Sequence, residues 1–451
     1  MNFDDIKNVH FVGIGGMGMS GMAEILSGTG IKVSGCDLRR SAVTDLLIRR
    51  GIRVEIGHDS SHVEKADCVV YTAAVRGASA EVDAAHQKGI RVMRRSEMLG
   101  EIVNRKRSVG VSGTHGKTTT SAMISVVLES AGFDPTMIVG GMVRNLATNA
   151  KSGKGEFLVV EADEYDRTFH HLHPEIAVIT NIEPDHLEYY GNFENILEAF
   201  RIFVAGIKPG GVVIGCVDDP AVANLLDSVK SHRVVRYGIG KTAEVRATRL
   251  RFSQRGTRFD VKGLRSFAVY LPGEHNIRNS LAAIAVGREL GIDADAIAAG
   301  LAKFLGVDRR FQVLGQHAGA IIVDDYAHHP TEIRATLDAA RKGYPNRRIV
   351  ALFQPHLYSR TRDFAREFAE SLLIADVPLL APIYAAREDP MEGITARLIA
   401  DAVPGVEFLN TSNAEIVQDL RRRLQPNDIF IAMGAGDVHE IAQALVGPGD
   451  Q

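Results

Sequence analysis

Apolar and polar positions along this chain fall into two periods, one of 2 and one near 3.6, and their alternation divides the sequence into three blocks. The first covers residues 1–106. An apolar run, Val9-His10-Phe11-Val12, enters a glycine-rich turn at 13–18, a helical stretch follows at 20–28, and 32–36 rises to Asp37. That order predicts a βαβ unit. Cys68-Val69-Val70-Tyr71-Thr72 predicts a further short strand. The second block, 107–308, opens on Ser108-Val109-Gly110-Val111, again a strand running into glycines, with a helix expected from about Thr118 to Ala131. Strand-like runs follow at 157–160, 176–180 and 211–215, and 245–271 alternates in the manner of antiparallel strands. The third block, 309–451, alternates strands (320–323, 348–353, 377–381, 429–433) with helical periodicity at 331–342 and 363–373. Alternating β and α predicts an α/β protein of three domains: a Rossmann-like N-terminal domain, a central P-loop ATPase-type parallel sheet and a Rossmann-like C-terminal domain.

Composition narrows the function classes. The 52 basic and 55 acidic side chains leave a net charge of −3, so the chain offers no electrostatic footprint for nucleic acid or an anionic membrane. No run of 18 apolar residues predicts a membrane span, and Met1-Asn2-Phe3-Asp4-Asp5 carries two acids where a signal peptide wants basic residues. Three widely spaced cysteines (Cys36, Cys68, Cys216) with no CxxC predict reduced, buried thiols rather than disulfides or a zinc site, and a cytoplasmic setting.

Two glycine loops carry the candidate chemistry. Gly13-Ile14-Gly15-Gly16-Met17-Gly18 fits G-x-G-x-x-G between a strand and a helix, with Asp37 ending the next strand. Glycines let backbone approach a pyrophosphate and the helix N-terminus favours its charge, so any diphosphate fits, whether of a dinucleotide or a UDP-sugar. A nicotinamide oxidoreductase built on this loop is one reading that stays open. Asp37 could hold a ribose or a uracil, or merely end its strand.

The second loop is Gly110-Val111-Ser112-Gly113-Thr114-His115-Gly116-Lys117-Thr118-Thr119-Thr120. It departs from the strict P-loop pattern by the valine at 111, yet Gly113 and Gly116 free the backbone to wrap phosphates. Lys117 supplies a point charge for the β and γ oxygens, and Thr118 a hydroxyl for Mg²⁺. This predicts ATP binding. Phosphoryl transfer also needs metal-holding groups beside those phosphates. Glu161 follows the strand 157–160, with Asp163, Glu164 and Asp166 close behind, and His186 ends Asn181-Ile182-Glu183-Pro184-Asp185-His186 after the strand 176–180. Two adjacent parallel strands ending in Glu161 and His186 are expected to hold Mg²⁺ beside Lys117. Asn276 and Asn279, three apart before an apolar run, could on their own simply cap a helix.

Together these motifs resemble the Mur ligase family of peptidoglycan synthesis. GTHGKTTT at 113–120, EADE at 161–164, TNIEPDH at 180–186, GEHNIRN at 273–279, RRFQ at 309–312, DDYAHHPTE at 324–332 and FQPHLYSRT at 353–361 match its pattern in order along essentially the whole chain. The resemblance implies an ATP- and Mg²⁺-dependent ligase that activates a carboxylate as an acyl phosphate and joins it to an amine. Within the family the first loop and the HHPTE and QPH segments look like the branch that adds L-alanine to UDP-N-acetylmuramate, while EADEYD is also similar to the tripeptide-adding, muropeptide-recycling branch. The implied roles are ATP binding by Gly113, Thr114, His115, Gly116, Lys117, Thr118, Thr119, Asn276, Asn279, Arg310, Asp325 and Tyr326, and Mg²⁺ binding by Thr118, Glu161 and His186. Gly15, Gly16, Met17, Gly18, Ser20, Asp37 and His58 would hold the UDP-sugar, and His328, His356 and Arg360 the amino acid or the muramoyl carboxylate. Lys117, His186, Arg310 and His328 would carry the chemistry, His328 as the candidate base. Several members of the family carry a carbamylated lysine near the segment Glu198-Ala199-Phe200-Arg201, where this chain has no lysine.

Overall fold

The computed structural model describes residues 3–72, 80–386 and 388–447. The chain folds into two compact units, Met1–Thr248 with Val261–Arg265 and Arg278–Phe304, and Arg249–Asp260 with Ser266–Ile277 and Leu305–Gln451. Both are α/β, as the alternation predicts. Among the described residues no helix is long and apolar enough to cross a membrane.

The first unit begins with a parallel sheet. Its strands are β1 (Asn8–Val12), β2 (Lys32–Asp37), β3 (Arg53–Ile56), β4 (Cys68–Tyr71) and β5 (Arg91–Arg94), in the order β3-β2-β1-β4-β5. Helices α1 (Met17–Gly28), α2 (Ala42–Arg49), α3 (Ala80–Gln87) and α4 (Arg95–Asn104) connect them. The two-residue period sorts the side chains by face. Phe11 of β1 joins the main core, whereas Val12 packs with Cys36, Val69, Ala84 and Ala85 on the opposite side.

The second sheet of this unit starts at β6 (Arg107–Ser112), which feeds α5 (Lys117–Ser130). There follow β7 (Thr136–Val143), β8 (Thr148–Lys151), β9 (Phe157–Glu161), β10 (Ile176–Ile179), the short α6 (Leu187–Tyr190), α7 (Phe193–Ala205), β11 (Val212–Cys216), α8 (Pro220–Ser228) and β12 (Arg233–Gly238). The strand order is β12-β11-β10-β6-β9-β7-β8, parallel except for β8. The expected adjacency of the strands before Glu161 and His186 is therefore corrected: β6 lies between β9 and β10, so the two residues flank the loop it feeds. One apolar core runs through both sheets, joining Phe11, Ile14 and Met22 to Ile138, Leu158, Phe169 and Phe200. Each such side chain contributes roughly 1.5–3 kcal/mol on burial, which fixes the first loop's helix against β7 and β8.

The chain leaves this unit along β13 (Val245–Ser253), whose Val245 pairs with Tyr237. The antiparallel pair β14 (Gly256–Val261) and β15 (Ser266–Val269) matches the alternation at 245–271. Helix α9 (Glu274–Glu289) contains both Asn276 and Asn279, so neither caps it, and α10 (Ala294–Lys303) follows.

The second unit holds a sheet of β16 (Gln312–His317), β17 (Ala320–Asp325), β18 (Arg348–Phe353), β19 (Val377–Leu380), β20 (Glu407–Phe408) and β21 (Asp428–Met433), ordered β16-β17-β21-β18-β19-β20. Its helices are α11 (Pro330–Gly343), α12 (Tyr358–Asp363), α13 (Ala365–Leu372), α14 (Arg397–Ala402), α15 (Asn413–Arg423) and α16 (Val438–Leu445). Val323, Ile349, Ala351 and Phe353 bury one face and Ile322, Val350, Leu352 and Phe430 the other. The helix expected at 363–373 is α13, which Phe364 (φ −125°, ψ 21°) separates from α12, its ring packing on His329 and Phe368.

Candidate active site

The loop after β6 is laced to the segment after β10. Thr114 N–H donates to the Asn181 carbonyl (3.1 Å) and His115 N–H to Asn181 Oδ1 (2.8 Å). The Thr180 hydroxyl and Asn181 Nδ2 both donate to the His115 carbonyl (2.7 and 2.9 Å), and Glu183 N–H donates to Thr114 Oγ1 (2.9 Å). The TNIE stretch thus holds the glycine loop open as a rigid cradle. At Gly116 φ is +83°, and a Cβ there would sit 2.9 Å from Asn279 Oδ1, so two constraints demand glycine. Asn279 in turn accepts a hydrogen bond from the Thr120 hydroxyl (3.1 Å), placing an HNxxN residue against the start of α5. Thr119, next along that helix, is buried.

Lys117 folds back over this cradle. Its Nζ donates to the Gly113 and Thr114 carbonyls (2.7 and 3.3 Å) and to both oxygens of Glu164 (2.9 and 2.8 Å), with Asp163 at 3.8 Å. Burial alone would favour the neutral amine, but the Glu164 and Asp163 charges outweigh it and hold the lysine above its ordinary range. Glu164 is itself buried, and its backbone carbonyl accepts from the Tyr190 hydroxyl (2.5 Å). Sequence reading noted Glu164 only as added charge; the ion pair it forms shows in no local motif.

Glu161 ends β9 and accepts from Gly140 N–H (2.8 Å) and from the Thr118 hydroxyl. Burial pushes its carboxyl upward, with Gly140, Thr118 and Lys117 pulling the other way. Thr118 and Glu161, two of the three expected metal ligands, are thereby brought together as oxygen donors, which suits Mg²⁺. His186 stands in the loop after β10 with φ +53°, its ring 4.8 Å from that of Tyr165. Arg201, in the segment 198–201, is exposed and paired to Glu194 and Glu198 (2.8 and 3.1 Å) on its own helix.

The first glycine loop is organised differently. Gly15 N–H donates to Asp37 Oδ2 (2.9 Å), and a Cβ on Gly15 would lie 2.8 Å from that oxygen. Gly16 is exposed at the start of α1 and Met17 half-buried, but Ser20 is 2% exposed and its hydroxyl donates to the Met17 carbonyl (3.1 Å). The loop therefore offers backbone rather than that hydroxyl. Arg95, which sequence reading missed, brings its guanidinium beside Gly18 and donates to Thr168 Oγ1 (3.2 Å). His58 Nδ1 lies 3.0 Å from Glu81 Oε1.

In the second unit, Asp325 is 6% exposed and accepts from Phe311 and Ala327 N–H (both 2.8 Å). Burial pushes its carboxyl up to about 6 against the pull of Arg310. Its visible work is to hold the turn carrying Arg310 and the loop carrying His328. The Arg310 guanidinium lies over the Tyr326 ring (5.2 Å) and 3.7 Å from Glu332. His328 Nδ1 faces two acceptors, the Tyr326 carbonyl (3.0 Å) and Glu332 (3.2 Å). His356 lies 6.2 Å from His328 and is stacked on Tyr384 at 6.0 Å. Arg360 is buried on α12. Asn276 donates to the Pro272 carbonyl (2.8 Å).

Three family profiles match consecutive stretches: "Mur ligase family, catalytic domain" at 8–107, "Mur ligase middle domain" at 111–287 and "Mur ligase, glutamate ligase domain" at 309–436. The chain is 46% identical over 450 residues to the UDP-N-acetylmuramate–L-alanine ligase of Salinibacter ruber, covering 98% of this chain and 94% of that one. It is 44% identical to the enzyme of the same name from Geobacter sulfurreducens, covering 98% of each. Among solved structures it resembles the UDP-N-acetylmuramate-alanine ligase of Thermotoga maritima (TM-score 0.81, 29% identity, 98% of both chains). It also resembles a murein peptide ligase of Psychrobacter arcticus (TM-score 0.69, 25% identity, 97% of this chain and 98% of that one).

Proposed function

The chain belongs to the Mur ligase family, and from that premise we propose that it is an ATP-dependent ligase joining L-alanine to the carboxylate of UDP-N-acetylmuramate in the cytoplasm. The observation that carries the reading is the Lys117 cradle, in which a buried cation rests against carboxylates where a polyphosphate would otherwise meet it. A nicotinamide oxidoreductase leaves that cradle unused. The tripeptide-adding alternative is set aside because the relatives at 42–46% identity over 97–98% of the chain carry the alanine name, whereas two solved ligases of the recycling type stand at 25% and 30%.

The chemistry follows from charge. A carboxylate is a poor electrophile, and transfer of the γ-phosphoryl of ATP to one of its oxygens gives an acyl phosphate with phosphate as leaving group. The step brings two anions together, so cations are needed beside them, and Lys117 and Arg310 are assigned that role. Thr118 and Glu161 offer oxygens suited to Mg²⁺, with His186 as the less orthodox third ligand; the ion would neutralise charge on the transferring group. Lys117 leaves Glu164 for the β and γ oxygens when ATP enters. The amine must attack as the neutral base, and His328, held by the Tyr326 carbonyl and Glu332, is assigned to take its proton. Expulsion of phosphate completes the amide. His356 and Arg360 are assigned to the amino acid or the muramoyl carboxylate. The backbone of 15–18, with Asp37 and His58, is assigned to the UDP group.

A panel of amines, each with ATP, Mg²⁺ and UDP-N-acetylmuramate and read by phosphate release, tests the assignment. L-Alanine should give the highest kcat/KM; preference for L-alanyl-γ-D-glutamyl-meso-diaminopimelate would replace this reading with the recycling one.

A further inference from the structure

On the face of the first sheet opposite α1, five side chains with metal-binding atoms converge from elements far apart in sequence. Register and the two-residue period explain how. His10 of β1 lies opposite Ser34 of β2, and Cys36 of β2 lies opposite Glu55 of β3, all on one face. His62, on the turn Ser60–Val63, and Glu81, on α3, cover that face. One ligand atom from each of His10, Cys36 and His62 lies within 4.8 Å of the others, and the same holds for Cys36, His58 and Glu81.

The polar bookkeeping of this cluster is lopsided. Glu81 Oε1 faces four partners, namely Cys36 Sγ (3.1 Å), His58 Nδ1 (3.0 Å), Asp59 N–H (3.1 Å) and His62 Nδ1 (3.2 Å). Its other oxygen, Oε2, is buried and has no hydrogen-bond partner, and neither has His10 Nε2. Leaving such groups unsatisfied costs about 1–3 kcal/mol each. Both histidines have the ring nitrogen pointing away from the cluster already engaged. His10 Nδ1 meets Ser34 Oγ at 3.0 Å, and His62 Nε2 meets Glu55 at 3.0 Å. That is the arrangement in which an outer partner fixes the ring so that the inner nitrogen can ligate a metal.

We propose that His10 Nε2, His62 Nδ1, Cys36 Sγ and Glu81 Oε2 form a closed, structural site for a divalent cation of the zinc class. Two imidazoles, one thiolate and one carboxylate make a donor set that such an ion takes with four protein ligands. Tetrahedral bonds of about 2.0–2.3 Å require ligand atoms roughly 3.3–3.8 Å apart; the His10, Cys36 and His62 atoms lie within 4.8 Å of one another, and Glu81, whose Oε1 is 3.1 Å from Cys36 Sγ and 3.2 Å from His62 Nδ1, must turn to bring Oε2 to the ion. Binding releases the Cys36 thiol proton to solvent as the metal–sulfur bond forms. Oε1 of Glu81 then keeps His58 and the Asp59 N–H. The ion would pin β1, β2, the turn Ser60–Val63 and α3 to one another. No step of the ligase reaction depends on it.

The test is titration of the reduced full-length chain with Co²⁺ alone, followed by Zn²⁺. One equivalent of Co²⁺ should produce a thiolate-to-cobalt charge-transfer band that one equivalent of Zn²⁺ bleaches. Cys36→Ser should abolish the band, while Cys68→Ser and Cys216→Ser should leave it intact. Glu55→Gln should weaken Co²⁺ binding about 10–100-fold by freeing the His62 ring. A wild-type chain that gives no thiolate band, or a band that survives Cys36→Ser, overturns the proposal. Should Cys36→Ser fail to fold, His62→Gln decides: an unchanged band and affinity there overturn it equally, and their loss supports it.

Discussion

At 13–18 and again at 110–120 the chain leaves a parallel strand, turns on glycines and starts a helix, yet the side chains gathered at the two turns differ in kind. In each, a carboxylate stands where a phosphate would meet the loop. At the first it is Asp37, bonded to the neutral N–H of Gly15. At the second it is Glu164, bonded to the ammonium of Lys117, with Glu161 and Thr118 alongside. Backbone donors and a helix N-terminus suffice to hold a diphosphate that does not react. Moving a phosphoryl group onto a carboxylate needs charge that can be redeployed as the reaction proceeds. The comparison teaches that a glycine fingerprint specifies phosphate proximity, and that the side chains around it specify whether anything is transferred.

Variants can break or sharpen that contrast. Lys117→Ala should lower amide formation by about 10²–10⁴-fold while leaving the Kd for UDP-N-acetylmuramate within about twofold, measured by phosphate release and calorimetry. A comparable loss of UDP-sugar binding would erase the division of labour between the loops. Glu161→Ala should cost about 10²–10³-fold in kcat and flatten the dependence on Mg²⁺; an unchanged Mg²⁺ profile would remove Glu161 from the metal. Glu164→Gln leaves the buried Lys117 ammonium without its partner, so thermal or denaturant unfolding should show a loss of about 3 kcal/mol in the ATP-free protein. ATP should restore part of it, raising the variant's melting temperature by more than it raises the wild type's. The smallest effect belongs to Gly15→Ala, whose methyl group meets Asp37. It should raise the KM for UDP-N-acetylmuramate about tenfold, roughly 1.4 kcal/mol, with the KM for ATP unmoved.

Much of the fold is legible in the pattern of the chain, because periods of 2 and 3.6 are local properties. The runs at 157–160, 176–180 and 348–353 and the helix near 118–131 appear within a residue or two of their observed bounds. The strands Thr136–Val143 and Thr148–Lys151 do not show, since Gly140, Gly141 and polar residues interrupt their alternation and neighbouring strands supply their order. The same divide holds at the sites. Lys117 and Glu161 are visible because motif and strand end coincide, and Thr118 because it follows Lys117 on the helix start. The neighbours of Lys117 and Gly18 are not, because Glu164 and Arg95 reach them through tertiary packing across 47 and 77 positions of chain. The three cysteines are free and buried, as their spacing predicts; that His10, Cys36 and His62 come together does not show in the spacing, because sheet register and a covering turn bring them to one face.

The central claim, that the Lys117 cradle drives phosphoryl transfer onto the substrate carboxylate, is tested most directly with UDP-N-acetylmuramate carrying ¹⁸O in its carboxylate. Turnover with ATP and L-alanine should deliver one labelled oxygen to each phosphate released, and Lys117→Ala should slow that transfer by about 10²–10⁴-fold. Phosphate released without label by the wild-type enzyme, or label transferred at an undiminished rate by the variant, would contradict the account.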